Sequence, residues 1–74
     1  MPLVNVRLIE GVFNDDEKRE MIEKITEAMV EVEGESMRAV TWVIVDEVKS
    51  GDWGIGGTGK TTEDIRSVRE QALA

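Results

Sequence analysis

The chain lacks cysteine and histidine altogether and has one proline and one phenylalanine in 74 residues. Without cysteine no disulfide can staple the fold, and without histidine as well a usual tetrahedral zinc site is excluded. No zinc site is therefore expected. Positive charge is scarce too, with 9 Lys and Arg against 16 Asp and Glu, a net charge of −7. A surface of that sign repels nucleic-acid phosphates and anionic membrane headgroups, so neither partner is expected. No apolar run approaches the roughly 20 residues of a membrane span. The opening "MPLVNVRLIEG" lacks the charged-then-apolar order of a secretion signal. The absence of cysteine fits a reducing compartment, and a cytoplasmic location is expected.

What is present must fold with little help. A chain of 74 residues reads as a single domain, 1–74. At that size a monomer buries only about 60% of the surface its unfolded chain exposes. With disulfides excluded and a structural zinc site not expected, self-association is the remaining support, and a homo-oligomer is expected.

"LVNVRLI" (3–9) is rich in branched apolar residues and reads as a strand ended by Gly11. Asn14 with Glu17 has the spacing of a helix capping box. From Asp15 to about Glu33 the apolar residues Met21, Ile22, Ile25, Ala28, Met29 and Val32 predict one helical stripe. Asp15, Asp16 and Glu17 suit the positive end of that helix, and Gly34 is a natural stop. "AVTWVIV" (39–45) predicts a second strand, apolar enough to be buried on both faces. "KSGDWGIGG" (49–57) is turn-rich, with room for a short hairpin strand, and 62–74 allows a C-terminal helix with Thr62 near its cap.

Strand, helix, strand makes a β-α-β unit of the α/β (α+β) class. A helix of about 19 residues spans about 28 Å and a seven-residue strand about 23 Å, so the lengths match. The helix can cross back and return a parallel strand with right-handed connection. One helix covers one sheet face, and further copies of the chain are expected to cover the other.

"GIGGTGKT" (54–61) matches the phosphate-cradling pattern of nucleotide hydrolases without a mismatch. A working phosphate loop follows a buried strand directly, and the residues before Gly54 are "KSGDW". The expectation is that these glycines serve a hairpin and that no nucleotide binds despite the Gly54–Thr61 pattern.

Pro2 is the chain's only proline. Removal of Met1 would leave it as a secondary amine, which burial tunes toward neutrality and so toward general-base work. "MPLVNVRLIEG", the helix opening "NDDEKREMIEKITEAM", the strand "VTWVIVDEV" and the turn "GDWGIGG" together resemble the 4-oxalocrotonate tautomerase family over about residues 1–57. The resemblance implies short β-α-β subunits with a C-terminal hairpin, associating as a hexamer, in a core of 2–57 with 58–74 as extension. It implies a cofactor-free tautomerase, an isomerase that moves a proton in an enol- or keto-acid small-molecule substrate with Pro2 as general base. Trp53 takes the position of the active-site aromatic before "GIGG".

The same resemblance exposes a departure. Known members carry a carboxylate-binding arginine just after the Glu-Gly pair and another in the second strand; Val12 and Trp42 stand there instead. Neither can pair with a carboxylate as a guanidinium does. Losing one such oxyanion donor typically costs about 3 kcal/mol of transition-state stabilisation. Pro2 as catalyst, with Trp53, Trp42 and Val12 as substrate-binding candidates, is the resulting site. Arg7, Arg38 and Lys60 are the cations considered as replacements. The alternative is a catalytically altered member that persists as an oligomeric binding or scaffold protein.

Overall fold

Seven elements appear in the computed structural model, which describes residues 1–73, and side chains to residue 71. They are β1 (Leu3–Ile9), α1 (Asp15–Glu33), a 3-10 turn (Glu35–Val40), β2 (Trp42–Val48), β3 (Trp53–Ile55), β4 (Thr58–Lys60) and α2 (Thr62–Leu73). β1 pairs with β2, and β3 with β4. The Trp42 N–H donates to the Pro2 carbonyl at 3.0 Å and the Glu10 N–H to the Val48 carbonyl at 2.8 Å. Both strands advance together between these bonds, so the pair is parallel, as a helical crossover requires. Residue contacts divide the chain into two compact units. One comprises Met1–Val6 and Asn14–Asp46, the other Arg7–Phe13 and Glu47–Ala74.

In the first unit, α1 begins where its sequence dictates. The Asn14 side chain accepts from the Glu17 N–H at 2.8 Å, and the Glu17 carboxylate accepts from the Asn14 N–H at 3.0 Å. Three acidic residues fill the first turn, at the positive end of the helix. Gly34 ends it at φ 102°, a region that side chains resist, with its N–H on the Val30 carbonyl at 2.8 Å. The expected stripe needs correction. Met21, Ile25 and Met29 are half-buried and Val30 is buried, but Ala28 is exposed and Val32 is 88% exposed. The sheltered face is rotated toward Thr26, Val30 and Glu33.

The second strand also departs from expectation. Ala39 and Val40 lie in the 3-10 turn, and β2 runs to Val48 through two acidic residues. Pairing, not apolarity, sets its limits: the Trp42 N–H starts it on Pro2. Asp46 is held in the strand by the Asn5 amide, Nδ2 to Oδ2 at 2.8 Å. Leu3, Trp42 and Ile44 are exposed at 60%, 53% and 37%, so one face of this sheet is uncovered in the single chain.

In the second unit, Gly56 and Gly57 have φ of 59° and 84° and join β3 to β4. Positive φ at both central residues is the geometry of a two-residue hairpin turn, which only glycine adopts freely. Gly54 lies opposite Gly59, and a Cβ on Gly59 would stand 3.0 Å from the Gly51 carbonyl. α2 then starts at Thr62, one residue after its cap. The Thr61 hydroxyl accepts from the Asp64 N–H at 3.2 Å, and the Asp64 carboxylate accepts from the Thr61 N–H at 2.9 Å.

The buried apolar side chains are Ile9, Val12 and Val30, at 4%, 9% and 6% exposed, and none of the described side chains falls below 2%. So sparse a core is what a short chain that leaves one sheet face open would show.

Candidate active site

Pro2 is half-buried immediately before β1. Its carbonyl is fixed by the Trp42 N–H, so the first residue of β2 lies beside it. These two candidates are therefore brought together by one strand-pairing bond. Met1 is 75% exposed, and while it remains attached the Pro2 nitrogen is a peptide amide without a basic lone pair. Trp42 presents a half-exposed indole on the uncovered sheet face, alongside Leu3 and Ile44.

Trp53 opens β3 and is half-buried; its cross-strand partner is Lys60. Directly opposed residues of an antiparallel pair project to the same side, so the Lys60 ammonium belongs to the face that carries the indole. The glycines of the phosphate-loop lookalike are those of this hairpin. The amides next to it are also engaged: Gly51 N–H on the Lys60 carbonyl at 2.9 Å, Thr61 N–H on Asp64, and Thr62 N–H on the Ser50 hydroxyl at 2.8 Å.

Val12 is buried in the loop between β1 and α1, and its surroundings were not legible beforehand. α2 lays three side chains along this loop. The Thr62 hydroxyl donates to the Glu10 carbonyl at 2.6 Å, Arg66 Nε to the Gly11 carbonyl at 2.9 Å, and Arg69 Nη1 to the Val12 carbonyl at 3.0 Å. Residues four and three apart on a helix share a face, so one side of α2 satisfies three successive carbonyls. Gly11 permits the approach, with φ 78° and room for no Cβ beyond the 3.0 Å that would separate it from Thr62 Cγ2. The Arg69 guanidinium also lies over the Phe13 ring, 4.7 Å from its centroid. Val12, Arg66, Arg69 and Glu70 line a cleft of about 270 Å³.

Arg38, Arg7 and Lys60 differ in their surroundings. Arg38 is committed elsewhere: its Nη1 donates to Glu27 at 2.5 Å and its Nε to Glu35 at 2.7 Å. Those hydrogen bonds, with Glu27 first, raise its pKa and lower those of both carboxylates. Arg7 is exposed on β1, on the side opposite half-buried Val6 and Leu8. Lys60 alone stands beside a candidate residue. Arg66 and Arg69 were not singled out by the sequence. The available signal was two arginines three residues apart in a C-terminal helix of an acidic chain.

Among the described residues no group of His, Cys, Asp or Glu is arranged to hold a metal, and no helix is long and apolar enough to cross a membrane.

The family model for tautomerase enzymes matches residues 2–63. A probable tautomerase of Dickeya dadantii is 36% identical over 72 residues, covering 97% of this chain and 98% of its own. A probable tautomerase of Helicobacter pylori is 32% identical, covering 96% and 98%. The crystal structure of apo unfused 4-OT superposes with a TM-score of 0.69 at 30% identity, over 85% of this chain and 97% of that one. The Helicobacter pylori DmpI structure gives 0.65 at 31% identity, over 84% and 97%. Matched along most of its length by sequence and by fold, this chain belongs to the 4-oxalocrotonate tautomerase-like family of tautomerase enzymes, which are isomerases.

Proposed function

We propose that the protein is a cofactor-free tautomerase whose general base is the Pro2 nitrogen after removal of Met1. The observation that supports this most is a family match that begins at residue 2. The placement of Pro2 agrees with it: the ring sits at the head of β1, half-buried, with its carbonyl held by β2. A secondary amine in that setting loses solvation for its charged form, which lowers its pKa toward neutrality. It would then take a proton from an enol- or keto-acid substrate and return it to another carbon, with no metal or cofactor.

Trp53 and Trp42 are the aromatic walls of this reading, and Val12 belongs to its substrate-binding set. One domain over residues 1–74, working as a cytoplasmic homo-oligomer and best as a hexamer, completes it. The uncovered apolar sheet face supports self-association. The hairpin geometry and the engaged amides after it favour no nucleotide partner.

The test is enol-to-keto conversion of phenylenolpyruvate by the processed protein. Alkylating the terminal amine, or replacing Pro2→Ala, should remove nearly all turnover while the circular dichroism spectrum stays unchanged. Turnover that survives both treatments would refute the assignment of Pro2. Sedimentation should report six chains in the assembled particle.

A further inference from the structure

We propose that α2 positions the loop 10–13 for the tautomerase reaction, with Thr62, Arg66 and Arg69 as positioning residues. The loop follows β1 and carries Val12, so its bearing on the reaction rests on the substrate-binding role proposed for Val12 above. The carbonyls of Glu10, Gly11 and Val12 stand in succession, and each accepts from one α2 side chain, at 2.6, 2.9 and 3.0 Å. A loop has no helix or ladder of its own to satisfy such groups, and each bond holds one peptide plane in one orientation. Glu10 is tied from the end of β2 as well. Its N–H donates to the Val48 carbonyl at 2.8 Å, and its carboxylate accepts from the Ser50 N–H at 3.1 Å. The Ser50 hydroxyl in turn accepts from the Thr62 N–H at 2.8 Å, at the first residue of α2. The Arg69 guanidinium over the Phe13 ring holds the other end of the loop.

The loop does not fix this shape by itself. Gly11, at φ 78°, has the freest backbone in it and stands where α2 comes closest. A loop that contains glycine and finds its donors on a distant segment is ordered while that segment is docked. Order set in advance reduces the entropy lost when a substrate binds against the loop. Bracing uses only bonds that the two arginines already make. The family match ends at residue 63, the second residue of α2, so Arg66 and Arg69 lie beyond the matched pattern. A helix that served stability alone would lower activity only as far as it lowered the folded fraction.

The test compares variants of the whole processed protein that are weakened in different places. Thr62→Ala, Arg66→Ala and Arg69→Ala each remove one bond to the loop. Gly34→Ala strains the C-terminal end of α1 instead, at φ 102°, and controls for lost stability. Nuclear magnetic relaxation should show backbone order parameters at residues 11–13 falling from about 0.85 toward about 0.6 in the first three variants and holding in the fourth. With phenylenolpyruvate, the first three should raise KM about fivefold with kcat little changed, and Gly34→Ala should alter neither where all are folded. Thr62 carries no charge, so a rise in KM on its loss is not the loss of an ion pair to substrate. Arg66→Lys and Arg69→Lys keep an N–H donor at each place and should show a smaller rise, which serves if an alanine variant does not fold. Unchanged order in the loop, a loosened loop with unaltered KM, or a rise in KM that Gly34→Ala matches would overturn the proposal. A parent protein with no proline-dependent turnover would refute the Pro2 reading and leave the relaxation data to decide whether α2 holds the loop.

Discussion

The two helices hold similar side chains and use them differently. The lysines and the arginine of α1 pair within a turn of themselves, Lys18 with Asp15, Arg19 with Asp16 and Lys24 with Glu20, while Glu27 reaches Arg38 just beyond the helix. On α2, Thr62, Arg66 and Arg69 reach backbone carbonyls 52 to 57 residues earlier in the chain. Exposed pairs of the first kind contribute little, because solvent screens them and the long side chains lose freedom. Bonds of the second kind close a long stretch of chain and satisfy groups that the loop cannot satisfy itself. The contrast shows which charges are decoration and which set the shape of a cleft.

The largest test of that contrast is Gly11→Ala. A side chain there must adopt φ near 78° and meet Thr62 Cγ2, so unfolding in urea should show a loss of about 2 kcal/mol. Thr62→Ser beside it removes the crowding methyl and should recover part of the loss, leaving the backbone strain. Thr62→Ala alone removes the bond to the Glu10 carbonyl and should cost about 1 kcal/mol. Asn14→Ala removes the α1 cap for a similar loss of about 1 kcal/mol. Lys24→Ala breaks an exposed pair and should not move the denaturation midpoint measurably.

Acid gives the finest comparison. Asp64 is held below its ordinary 3.8 by the Thr61 N–H first and the Thr61 hydroxyl second. A depressed carboxylate stabilises the fold above its unfolded value and ceases to do so as pH falls through the folded value. The stability difference between the protein and Asp64→Asn should thus be constant above pH about 5 and shrink below 3.8, as followed by urea unfolding.

The same contrast explains what could be read in advance. β1, the α1 cap and the glycine stop were legible because each is decided within four residues. The start of β2 was not: the run from Ala39 reads as strand, but pairing begins only where Trp42 meets Pro2. Val32 looked like core by spacing, and it faces outward because the sheltered side of α1 is rotated toward Val30. Val12 was singled out as a missing arginine. That two arginines from the far end of the chain stand around it depends on contacts more than 50 residues apart, which no local pattern encodes.

The bond from the Trp42 N–H to Pro2 ends on the proline carbonyl, not on the nitrogen that carries Met1. Excising the methionine would therefore free the nitrogen and leave that strand anchor intact. This bond therefore sets no order between loss of the methionine and pairing of the two strands.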